Sequence, residues 1–183
     1  MYYKRISLLL LTLLFSGIAL AENSSNYIGI NAATFDSKNS TTEYDGGMIN
    51  FGYDLNNFIA LEIAAGGSST ETDKVTNDTS KIDYAASAFI RFNVRFSGVT
   101  VYLLGGYSQV ESTSTTGTTS ITTTDSSNSY GYGIDFYGTR DLALSVRRVE
   151  FFDNDEVTGN RHLGATMVGI TYYFDEPKIH SRY

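Results

Sequence analysis

The sequence predicts an all-β chain: eight antiparallel strands in an up-and-down barrel that crosses a membrane, preceded by a cleavable signal peptide. Three observations carry this expectation. Apolar residues recur with period two in segments of about ten residues, and no helical period competes with them. The links between segments alternate short and long. The N-terminus has the form of a secretory leader.

The first segment covers Tyr27 to Thr34 and the second Tyr44 to Tyr53, with Ile49, Phe51 and Tyr53 on one face. The third covers Phe58 to Gly67 and sets Ile59, Leu61, Ile63 and Ala65 against Ala60, Glu62, Ala64 and Gly66. The fourth runs from Ile82 to Asn93, with Asp83, Ala85, Ser87, Phe89 and Arg91 on its less apolar face. The fifth, Val99 to Val110, is apolar on both faces, so its parity stays open. The sixth is Tyr130 to Tyr137, which places Asp135 with Gly131 and Gly133. The seventh is Leu142 to Phe152. The eighth is Leu163 to Phe174, with Val168, Ile170, Tyr172 and Phe174 sharing a face.

After the second, fourth and sixth segments the links are short: 54–57, 94–98 and 138–141. After the odd ones they are long and polar: 35–43, 68–81, 111–129 and 153–162. The third long link has 14 Ser or Thr among 19 residues, a composition that predicts a mobile loop. Strict alternation means antiparallel neighbours, with short turns at one end and long loops at the other. A soluble β-protein would bury the apolar face. A membrane barrel points it at lipid and turns the small or polar face to a narrow lumen. The leader, the even strand count and the segment length favour the membrane. Aromatics at strand ends (Tyr27, Tyr53, Phe58, Phe92, Tyr172, Phe174) fit an interfacial girdle.

The leader runs from Lys4 and Arg5 through the apolar stretch Ile6 to Phe15 to Ala19-Leu20-Ala21, a small-x-small cleavage site. The apolar run is too short for a spanning helix. The expected division is therefore 1–21 signal peptide, 22–174 barrel and 175–183 a short periplasmic tail. Cleavage leaves 162 residues with a net charge of −9. That acidity argues against nucleic acid. Zero Cys excludes disulfides and thiolate chemistry.

Several segments resemble the OmpA/OmpX-like family of eight-stranded outer-membrane barrels of Gram-negative bacteria. NYIGINAATF is similar to its opening strand and INFGYDLNNFIALEIAAG to its second strand, turn and third strand. VTVYLLGGYSQV is similar to its Gly-rich fifth strand and ATMVGITYYF to its closing strand. The resemblance implies integral outer-membrane location. It also implies an assembly signal at Tyr172-x-Phe174, read by the outer-membrane assembly machinery, although nine residues follow it here. Lipid and lipopolysaccharide are the expected surroundings of a monomer, and an extracellular ligand would meet the loops.

Eight strands leave a lumen that side chains fill, so an open solute pore is not expected. Glu62, Asp83, Arg91, Asp135 and Arg147 are the inward charges, and buried charges must pair. They predict a structural salt-bridge network; the alternative is a narrow, gated ion path. Arg148 either joins Arg147 inside through a bulge, sending Val149 and Phe151 outward, or snorkels toward the interface. A lipid A-modifying enzyme would need a His beside a nucleophile or acid. After the leader the chain has two His: His180 in the tail and His162 near Asp155, Glu156 and Arg161. No catalytic role, cofactor or metal is expected, since a lone His among scattered carboxylates lacks ligand spacing.

Overall fold

The strand order closes on itself. The computed structural model describes residues 25–37, 43–72, 78–154 and 161–174. Among these lie β1 (Asn26–Asp36), β2 (Tyr44–Asp54), β3 (Ile59–Ser68), the two-residue β4 (Glu71–Thr72), β5 (Thr79–Phe96), β6 (Val99–Thr116), β7 (Thr119–Tyr137), β8 (Leu142–Asn154) and β9 (Arg161–Tyr173). The sheet runs β3-β2-β1-β9-β8-β7-β6-β5, and an additional β3–β5 ladder joins its two ends. Every pairing is antiparallel. Eight long strands thus form a closed barrel without a free edge around its girth, and β4 adds two rungs to β5. The expected leader over 1–21 and its cleavage point, the tail 175–183, and His180 lie outside the described residues.

The short turns sit at one end. In the first, the Asn56 carboxamide oxygen accepts from the amides of Phe58 (2.8 Å) and Ile59 (2.9 Å), which folds the chain back within four residues. In the second, Gly98 takes φ +77°, a conformation that side chains with a β-carbon rarely adopt. In the third, the Leu142 amide donates to the Thr139 hydroxyl at 3.1 Å.

The faces follow the period. Ile30, Ile49, Phe51, Leu61, Ile63, Ile90, Val168, Ile170, Tyr172 and Phe174 are exposed on the outer surface. The open parity of the fifth segment resolves with Val101 and Leu103 outward and Tyr102 and Leu104 buried inside. Exposure of so much contiguous apolar surface is the expected state of a wall solvated by hydrocarbon.

Three expectations need correction here. The Ser/Thr stretch 111–129 is not a loop. β6 and β7 continue through it in register, Glu111 against Thr124 and Thr116 against Thr119, around a two-residue turn in which Gly117 takes φ +61°. Composition pointed to disorder because these residues bury little. Thr is nonetheless a strong strand former, and hydroxyl pairs tie the strands: Thr113 to Thr122 at 2.9 Å and Thr115 to Ser120 at 2.8 Å.

Tyr27 is not part of a girdle. It is fully buried in the lumen, where its cross-strand partner Gly52 gives its ring room; a β-carbon at 52 would overlap that ring. The other five aromatics named for the girdle keep at least part of their surface exposed.

The inner wall is not uniformly small or polar. Phe35, Met48, Ile82, Phe89, Leu104, Val149, Phe151 and Met167 form an apolar cluster inside the loop half of the barrel. Of the two placements open to Arg148, the structure takes the one without a bulge at 147–148. The register slips further on, between Glu150 and Phe152, and Val149 and Phe151 stay buried.

Candidate functional site

The lumen is built in layers. At the turn end, Asp54 ties β2 to the residue before β1 and to β5: the Ser25 hydroxyl donates to Oδ2 at 3.2 Å and Arg95 Nη2 at 2.5 Å. Next come three tyrosine rings, with Tyr173 between Tyr27 (centroids 5.3 Å apart) and Tyr137 (5.4 Å).

The charge layer lies against these rings. Arg147 Nη1 donates to Glu62 Oε1 at 2.6 Å, and Arg91 Nη2 to Asp135 Oδ2 at 2.6 Å. Arg91 Nη1 also stands 3.7 Å from Glu62 Oε2, so Glu62 faces both guanidinium groups. Two cations and two carboxylates make the layer neutral. Burying them costs several kcal/mol per ion in desolvation, about what close pairing and extra hydrogen bonds can offset. The two carboxylates and Arg91 Nε make such bonds, whereas Arg147 Nε and Nη2 are buried without a hydrogen-bond partner among the described residues. The Tyr27 hydroxyl donates to Glu62 at 2.9 Å, Asn50 Nδ2 to Glu62 at 3.2 Å, the Tyr173 hydroxyl to Asp135 at 2.9 Å, and Arg91 Nε to Asn93 at 2.7 Å. The Arg91 guanidinium also stacks 3.6 Å from the Tyr102 ring centroid and 5.0 Å from that of Tyr27. Gly133, directly across from Tyr102, clears space for that ring as Gly52 does for Tyr27.

The structure therefore brings together Glu62, Arg91, Asp135 and Arg147. It does not bring Asp83 to them. The β5–β6 register shifts between Ile82 and Tyr84, which turns Ile82 into the apolar cluster and leaves Asp83 partly exposed beyond the lipid-facing band. There Asp83 holds Lys81 Nζ at 2.6 Å and accepts from the Thr113 hydroxyl at 2.6 Å. These two partners hold its carboxyl below the usual carboxylate range.

The tyrosines and asparagines of the layer escape sequence reading. A Tyr opposite a Gly is visible only once the register is known. Above the charges, the apolar cluster fills the lumen, with Phe35 and Phe151 stacked at 6.0 Å.

Arg148 leaves the wall on the outside, among Asp36, Glu150 (2.8 Å from Nε) and the Thr166 hydroxyl (3.1 Å). His162, buried at the loop end of β9, has Nε2 3.1 Å from Glu150 Oε2.

Residues 7–174 match the family model described as outer membrane protein beta-barrel domain. No curated protein matches the sequence. Among solved structures, the fold is similar to that of Ail, the attachment invasion locus protein of Yersinia pestis, solved in complex with the heparin analogue sucrose octasulfate. The two share 18% identity at TM-score 0.58, over 82% of this chain and 97% of that one. Neisserial surface protein A is similar at 16% identity and TM-score 0.58, over 84% of this chain and 98% of that one. OprG from Pseudomonas aeruginosa is similar at 8% identity and TM-score 0.58, over 83% and 96%.

Proposed function

The chain belongs to the outer-membrane protein β-barrel family, and from that premise we propose that it is a closed surface barrel whose loop end meets extracellular partners while its lumen passes no solute. The observation that carries the second half is the layered interior. A solute would have to part a paired charge layer and then an apolar cluster whose members are all buried. The charge layer acts as structural glue between strands that are not neighbours in the sheet.

Family membership and the rule that long connections face outward support an extracellular loop end and periplasmic turns. The charge distribution supports a partner role for that end. The stretches 36–45, 69–83, 111–129 and 148–162 contain 13 carboxylates and five cations, whereas the lumen charges and the turn-end residues balance. A sulfated glycan of the kind seen on Ail would be repelled here, and a cationic protein surface attracted.

Conductance across a planar bilayer tests the closed lumen. The refolded full chain gives no unitary current steps; steps would carry the ion-path alternative instead. A tag at Gly117-Thr118, read on intact cells, tests which end faces out. The reading gives His162 no catalytic role, and lipid A mass spectra unchanged by deletion of the protein check that.

A further inference from the structure

We propose that the mouth of the barrel at the loop end binds a small organic cation with an apolar or aromatic body. Four features of the mouth converge on that chemistry.

The first is space. A cavity of about 430 Å³ opens at the loop end among residues of β5 to β9 and the start of β2, within the range of small-molecule sites. The second is the floor, made by Ile82, Val110 and Leu163, which are the buried upper surface of the apolar cluster. An apolar body resting there leaves water without exposing a polar group.

The third is aromatic. Tyr44 and Phe152 line the cavity half-buried, packed against the same cluster, and a ring face attracts a cation close to it. The fourth is charge. The lining carries two basic groups, Lys81, held by Asp83 at 2.6 Å, and His162, whose Nε2 stands 3.1 Å from Glu150 Oε2, and Asp125 stands in the wall. Among the residues whose side chains the structure describes, the loop-end stretches hold nine carboxylates against two cations, Lys81 and Arg148. An anion would enter against this field. A neutral polyol would gain nothing from it. A cation gains from the field, from the rings and, through its body, from the floor. The inference needs neither the extracellular topology nor a protein partner, so it stands apart from the reading above.

The test uses the full chain in phosphatidylcholine nanodiscs with labelled Ile, Leu and Val methyl groups. Phenyltrimethylammonium is the probe; benzyl alcohol and benzenesulfonate are its neutral and anionic counterparts. The expected result is a saturable shift of the Ile82, Val110 and Leu163 methyls with the cation, none at lipid-facing Ile170, and little with the anion. Binding weakens as salt rises from about 50 mM to about 500 mM. Asp125→Asn weakens it by about 3- to 10-fold. If that variant folds poorly, the salt response of the unaltered chain still decides. Equal binding of benzyl alcohol, preference for benzenesulfonate, or no saturable shift at these methyls overturns the proposal.

Discussion

Arg147 on β8 and Glu62 on β3 meet in the lumen at 2.6 Å although 85 residues separate them, and in the closed strand order β3 and β8 are diametrically opposed. The pair is a strut across the full width of the barrel. Glu62→Ala leaves Arg147 buried against Tyr102 without its carboxylate. The expected loss is about 3–5 kcal/mol, measured as a fall in the urea midpoint for folding in lipid vesicles. Glu62→Gln keeps an acceptor for the Tyr27 hydroxyl and loses less. Asp83→Asn, outside the strut, leaves the midpoint nearly unchanged.

Val168 and Thr171 test the two faces of β9. Val168 is 49% exposed on the outer wall, and Thr171 is fully buried with its hydroxyl 2.6 Å from that of Ser145. Val168→Arg is expected to cost roughly 2–4 kcal/mol in vesicles. Thr171→Ser keeps the hydroxyl and stays within about 1 kcal/mol. A tolerated arginine at 168 would mean that this face does not meet hydrocarbon.

The extension of β6 and β7 around Gly117 is expected to be protected in amide exchange at the paired positions 112–116 and 119–124. Gly117→Val forces a branched residue into φ +61°, a local cost of roughly 1–3 kcal/mol. Exchange in the extension then speeds up, while the urea midpoint of the barrel holds, because the hairpin opens as a local unit.

Asp83 titrates below its ordinary value of 3.8, because protonation would surrender its bonds to Lys81 and Thr113. Carboxyl-carbon NMR is expected to place its midpoint lower than 3.8 and to move it upward in Lys81→Met. Since the folded value is the depressed one, the local gain is present above pH 3.8 and fades as pH falls through the folded midpoint.

Period two was enough to expose the barrel. Ile59-Leu61-Ile63 and Val168-Ile170-Tyr172 alternate cleanly because one face meets hydrocarbon and the other a crowded interior. The same period could not show which inward residues meet. Glu62 reaches Arg147 through closure of the whole sheet, not through any spacing in the chain. It also fails wherever a strand gains an extra residue, as at Asp83, where a register shift moved the preceding Ile82 inward. Tyr27 misled for a different reason: at a strand end, an aromatic suits both an interface and a lumen, and the choice belongs to Gly52 on the next strand. The hairpin misled because hydropathy measures burial, whereas threonine pairs hold a ladder by backbone fit and cross-strand hydroxyls.

The seam between β1 and β9 sets a condition on biogenesis. Ten rungs join the earliest described strand to the last one, and Tyr27 touches Tyr173 where they meet. Until β9 arrives, β1 and β8 each present a raw hydrogen-bonding margin, a state that invites misassociation. Shutting the seam removes both margins in one event, and the Tyr27–Tyr173 contact can form only then. A nascent chain stalled before β9 is therefore not a smaller barrel but a hazard that a periplasmic holdase or protease would have to clear.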